Sequence, residues 1–163
     1  METHTVKPQI VGKLRDVDVL PDGTWAAIVG SYGTDSLVLA DFKLELERRF
    51  YHPLIRLLNP NQVVVIDSIS TSARDKNGLI FTYSEPQRMI RFHAGVCLAD
   101  VLATPRYIAC TYHDEGVLDG NPISGEGVAV FNHNGEHLCG YHSKNLPNAV
   151  EIMDCYAACN VQG

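Results

Sequence analysis

The densest collection of chemistry-bearing residues in this chain is the stretch His113–Gly127, HDEGVLDGNPISGEG. It holds Asp114, Glu115, Asp119 and Glu126, with His113 at its head and four glycines among them. Carboxylates beside flexible glycines supply the oxygen donors that a hard divalent cation such as Ca²⁺ takes. A histidine beside carboxylates can also serve as a general base or a ligand contact. The spacing is not that of an EF-hand loop, and the plain alternative is a solvated surface loop. Ligand contact is the role assigned to His113, Asp114, Glu115, Asp119 and Glu126. No cofactor is implied beyond a divalent cation.

A second set of carboxylates recurs along the chain. Asp18, Asp100 and Asp154 each stand just ahead of an apolar run, and Asp16 adds a fourth nearby. Two readings compete for them. Brought to one axis they would hold a metal. Taken singly, each would accept backbone N–H groups. His93 and His142 also match, each directly following an aromatic residue (Phe92, Tyr141). One repeat apart, they read as a duplicated rim position and not as one metal site.

The remaining chemistry is sparse. The five cysteines are Cys97, Cys110, Cys139, Cys155 and Cys159. They lack zinc-finger spacing and basic neighbours that would lower a thiol pKa. No phosphate-binding glycine loop, nucleophile elbow or metalloprotease helix motif occurs.

These residues need a scaffold, and the scaffold is repetitive. Leu37–Phe50 (LVLADFKLELERRF), Leu79–Phe92 (LIFTYSEPQRMIRF) and Val128–Tyr141 (VAVFNHNGEHLCGY) share one pattern and begin 42 and 49 residues apart. Each runs from an apolar strand through a polar turn to a strand ending in an aromatic residue. Asn134-Gly135 suits a tight hairpin turn. Asp18–Gly30 and Asp100–Tyr112 form a second matching pair, both opening Asp-Val-Leu. The predicted units are 18–58, 59–102 and 103–155, in one domain that follows a tail and lead-in strand at 1–17. Each has four strands, the fourth lying at Leu54–Leu58, Val96–Leu102 and Ala149–Asp154. Val63–Ile66 is apolar without alternation, which predicts a strand covered on both faces. Trp25 is expected to pack between units. Met1–Lys7 is polar and reads as disordered.

Three antiparallel four-stranded units with such periods resemble β-propeller blades. There is no WD40 or kelch signature, so no family-specific residue carries over. The resemblance implies an all-β fold and a partial propeller. Closed propellers have four to eight blades. The ring would be completed by missing C-terminal blades or by a homodimer of two three-bladed copies; a sandwich or partly open barrel is the other architecture. Connections between the first and second strands drawn for each unit grow from Gly30–Asp35 through Ser68–Gly78 to His113–Gly127. Length variation of this kind collects on a binding face.

The function expected is a binding module for a protein or small molecule. The alternative is a metal-assisted hydrolase using axial carboxylates or the 113–127 stretch. A net charge of −6 repels polyanions, so nucleic acid is not an expected partner. No membrane span or signal peptide is read from the sequence, which with an odd cysteine count predicts reduced thiols and a cytoplasmic location.

Overall fold

The computed structural model describes residues 11–31, 33–40, 42–70, 75–145, 147–148 and 150–159. Met1–Lys7, read above as disordered, lies outside them. The described chain is all-β, with three four-stranded antiparallel sheets and no closed barrel. The first sheet contains β1 (Lys13–Val19), β2 (Trp25–Ser31), β3 (Thr34–Leu39) and β4 (Phe42–Glu45), in that spatial order. The second contains β5 (Pro53–Asn59), β6 (Gln62–Asp67), β7 (Gly78–Thr82) and β8 (Met89–Phe92). The third contains β9 (Leu98–Ala103), β10 (Ile108–Tyr112), β11 (Val128–Phe131) and β12 (His137–Gly140). No helix among the described residues is long and apolar enough to cross a membrane.

The sheets stack face to face in a blade-like repeat, with two cores between them. Ala26, Ile28, Leu37 and Leu39 of the first sheet meet Ile55, Leu57, Val63, Val65, Leu79 and Phe81 of the second. The opposite face of the second sheet carries Val64, Ile66, Ile80 and Phe92 into a core with Ile108, Cys110, Tyr112 and Phe131. Val63–Ile66 is therefore fully buried on both faces. A strand that packs on two sides has no solvent face on which to place polar residues, hence its unbroken apolar run.

Several boundaries differ from the sequence reading. Leu54–Leu58 and Val96–Leu102, expected to close a unit, fall largely in β5 and β9, which open the next sheet. The lead-in strand before Asp18 is β1 itself, so Asp18 and Asp100 lie inside strands. No strand forms in the described part of 149–154. In the first sheet β4 already begins at Phe42, and Leu46–Tyr51 is irregular. Leu46 and Phe50 drop into the first core instead. Leu37 and Leu79, matched by the repeat, enter one core from opposite sides. Leu79 is thus offset by one residue, which in a strand reverses the face. Trp25 is half-buried and belongs to neither core.

The Asn132–Glu136 turn forms as predicted. Gly135 has φ 75°, and a Cβ there would stand 2.7 Å from Phe92 Cβ. Conformation and close approach both require glycine.

The first strands of the three sheets run side by side, and polar side chains tie them. Asp18 accepts the Leu57 N–H at 2.7 Å, and Asp16 accepts that of Ile55 at 2.8 Å. Arg56 on β5 reaches both neighbours. It donates to Asp16 on one side at 3.2 Å, and to Asp100 and the Val101 carbonyl on the other at 2.8 Å each. These bonds serve the edge of each sheet, where strand N–H and C=O groups lack a ladder partner.

Candidate functional site

The two ends of the stacked sheets differ. One end is closed by turns at Leu20–Thr24, Pro60–Asn61, Tyr83–Arg88, Thr104–Tyr107 and Asn132–Glu136. The other bears the connections β2–β3, β6–β7 and β10–β11, of two, ten and fifteen residues. The growth predicted from the sequence is present, and these connections share an end of the sheets.

The longest of them is not a bare loop. Asp114–Leu118 forms a short helix, α1, and Ser124–Glu126 a single 3-10 turn. Gly116 lets α1 approach the preceding chain, since a Cβ there would stand 2.4 Å from the Val96 carbonyl oxygen. His113 precedes α1, and its N–H donates to the Cys97 carbonyl at 3.0 Å. Asp114 and Glu115 stand in the first turn of α1, directly after His113, and Asp119 caps its C-terminus. Leu118 is 64% exposed in the same short helix.

Glu126 stands apart from this set. Its Oε2 accepts the Ser143 N–H at 2.7 Å, which closes the end of the third sheet. Asp154 joins the set from the C-terminal segment, with Oδ1 3.6 Å from His113 Nδ1. That segment is fixed where the Cys155 N–H donates to the Tyr112 carbonyl at 3.0 Å. Tyr156 packs its ring edge-on to His113, with centroids 5.3 Å apart. A hydrogen bond to Asp154, then that carboxylate's charge, raises the Tyr156 phenol above its usual range. Tyr156, 72% exposed, did not stand out in the sequence.

Asp18 and Asp100 lie elsewhere, on β1 and β9, in the inter-strand bonds already described. The backbone-acceptor reading of these aspartates thus has its geometry, though the bonds of Asp18 cross between sheets and do not cap a local turn. Asp154 is remote in role from both. Among the described residues, no group of three or more His, Cys, Asp or Glu side chains is arranged to hold a metal ion.

The paired histidines perform one structural task twice. His93 Nδ1 lies 2.7 Å from the Asp75 carbonyl, and His142 Nδ1 lies 2.7 Å from that of Gly125. A nitrogen on a carbonyl must donate, so each Nε2 accepts. The donors are the Asn121 amide at 2.9 Å and the Ile152 N–H at 3.1 Å. Each ring latches its sheet end to the segment that follows.

The repeat carries a further matched polar position. Asp35, Asn77 and Glu126 each stand two residues ahead of the 14-residue pattern. Each accepts an N–H from the segment that follows the last strand of its own sheet: Phe50 at 2.7 Å, Ala94 at 2.9 Å and Ser143 at 2.7 Å. Asp35 is fully buried and pairs with Arg15 at 3.1 Å.

The thiols follow the sequence reading. All five cysteines are free. Burial pushes the Cys110 thiol far up, and burial followed by the charges of Glu115 and Asp119 raises Cys97. No protein-family model, curated protein or solved structure matches the chain.

Proposed function

We propose that the chain is a β-propeller-like binding module whose ligand face is the end carrying the long connections. Its contact surface would be His113, Asp114, Glu115 and Asp119 with Asp154 and Tyr156. The carrying observation is the asymmetry of the two ends. Short turns close one, while the other gathers exposed carboxylates, an aromatic ring and an exposed leucine around α1. Binding residues concentrate on such connections because a rigid sheet can hold them while their sequence varies.

Carboxylates beside Tyr156 and Leu118 suit a cationic peptide segment, whose Lys or Arg heads meet the charges and whose stems cover the apolar surface. The binding reading is preferred to metal-assisted hydrolysis because Asp18 and Asp100 are engaged in bonds between sheets. The module would stand in a ring completed by further blades or by a second copy.

The test is an array of Lys- and Arg-containing peptides, followed by amide chemical-shift mapping with the tightest binder. Shifts are expected at residues 113–119 and 154–156. Glu115→Lys and Asp119→Lys should each weaken binding roughly tenfold or more, with unchanged thermal stability. Shifts centred on the short-turn end would overturn the reading. So would saturable stabilisation by a divalent cation that Asp100→Asn removes.

A further inference from the structure

Between the first and second sheets, at the same end, lies a cleft of about 540 Å³. It continues toward the end of β2 in a hollow of about 250 Å³ that shares Lys13, Arg15 and Arg49. The cleft also takes in Asp16, Tyr51 and His52. The chain has only 13 Lys and Arg against 19 Asp and Glu. Three of those cations nonetheless converge here, in a protein of net charge −6.

Two of the cleft's charges are already balanced. Arg15 pairs with buried Asp35 through one nitrogen, and its other nitrogen grips the Phe50 and Tyr51 carbonyls. Asp16 pairs with Arg56 and accepts the Val17 and Ile55 N–H groups. Lys13, Arg49 and His52 remain. All three are exposed, and none has an ion pair or side-chain hydrogen bond among the described residues. Among the residues lining the cleft, the uncompensated charge is positive.

The backbone presenting these groups is held from every side. Asp35 accepts the Phe50 N–H at 2.7 Å, and Asp67 accepts those of Tyr51 and His52 at 3.0 Å each. Arg15 takes the carbonyls, and Pro53 then begins β5. Asp35 is 0% exposed and Asp67 5%. Three charged side chains are thus committed to fixing one corner, 50–52, while the cations around it are left free. Fixing the backbone before a ligand arrives removes part of the entropy cost of binding.

We propose that this cleft binds a phosphate-bearing small molecule. Arg49 and Lys13 would contact the phosphate, and Tyr51, 75% exposed, would cover the remainder of the ligand. Two separate cations suit a phosphate better than a single carboxylate, and the guanidinium fork of Arg49 matches phosphate oxygens two at a time. The volume falls within the range of small-ligand sites. The overall negative charge disfavours a polyanion in the same place. This cleft shares no residue with the acidic surface around α1, so the two proposals fail separately.

The experiment titrates the full chain with sodium pyrophosphate, against NaCl at matched ionic strength and against sodium acetate, and follows backbone amide shifts. Saturable shifts are expected at Lys13 and at residues 49–52, with neither control reproducing them. Arg49→Ala and Lys13→Ala should each weaken binding at least tenfold with unchanged thermal unfolding. Arg106→Ala, at the opposite end, should bind as the wild type does. Equal effects of NaCl would mean screening only, and equal effects of acetate would refute the phosphate preference. Unchanged binding by both cleft variants would put the anion elsewhere and overturn the proposal.

Discussion

Asp35→Ala is expected to cost about 3–5 kcal/mol, the range for breaking a buried ion pair from one side. Asp35 is fully buried, and its carboxylate faces the Arg15 guanidinium and the Phe50 N–H. Alanine would leave a largely buried cation and a buried N–H without their acceptor. The consequence extends beyond the pair, because the Asp35 carbonyl also receives the Leu46 N–H at 2.8 Å. Leu46 and Phe50 seal the first core from that segment. In thermal unfolding, the midpoint should fall by roughly 6–20 °C for a chain of this size. Asp35→Asn keeps an acceptor for Phe50 and should cost distinctly less. A midpoint within 2 °C of wild type for the alanine variant would show that the segment is not held this way.

The second large effect concerns Arg56. Its guanidinium donates to Asp16, Asp100 and the Ile55 and Val101 carbonyls, and so joins strands of all three sheets. Arg56→Met keeps the apolar stem but strands two carboxylates. A loss of about 2–4 kcal/mol is expected, since each abandoned partner is only partly reached by water. Arg56→Lys should recover less than half of it, because an ammonium cannot reproduce the planar fork that serves two sides. Denaturant unfolding measures both variants. Full rescue by lysine would reduce the role of Arg56 to simple charge.

These ties explain what could and could not be read from the chain. The pattern of strand, turn and strand was legible in the second and third copies, since alternation and turn residues are local properties; in the first copy the closing strand is β4 (Phe42–Glu45) and not Leu46–Tyr51. The burial of Val63–Ile66 on two faces was legible too. The division into sheets was not. A repeat has no intrinsic beginning, and whether Leu54–Leu58 closes one sheet or opens the next depends on which neighbour takes its hydrogen bonds. The α1 helix was hidden because five residues, two of them acidic and one glycine, give no helical period. Arg56 was invisible for a different reason. Its carboxylate partners are 40 and 44 residues away and belong to different sheets. The cationic cleft was hidden similarly, because Arg48-Arg49 is only a pair in sequence. Packing brings Lys13 to that corner from the first sheet.

The candidate site was legible in part. The sequence singled out the stretch around His113 by its residue types. It could not show that Glu126 turns away to Ser143, or that Asp154 and Tyr156 fold back onto His113. The axial aspartates carried an ambiguity that residue types alone do not resolve, because metal ligation and backbone capping call for the same carboxylate.

Carboxylates of one sheet close the open edge of the next, and amide hydrogen exchange at Leu57 tests this most directly. In an unsupported sheet this N–H would meet water. Here it meets Asp18 at 2.7 Å. Slow exchange is predicted in the native protein, with an acceleration of roughly tenfold or more in Asp18→Ala while the Val64 amide in the sheet interior stays unchanged. Exchange of Leu57 at the free-peptide rate in the native protein, or an identical rate in Asp18→Ala, would contradict it.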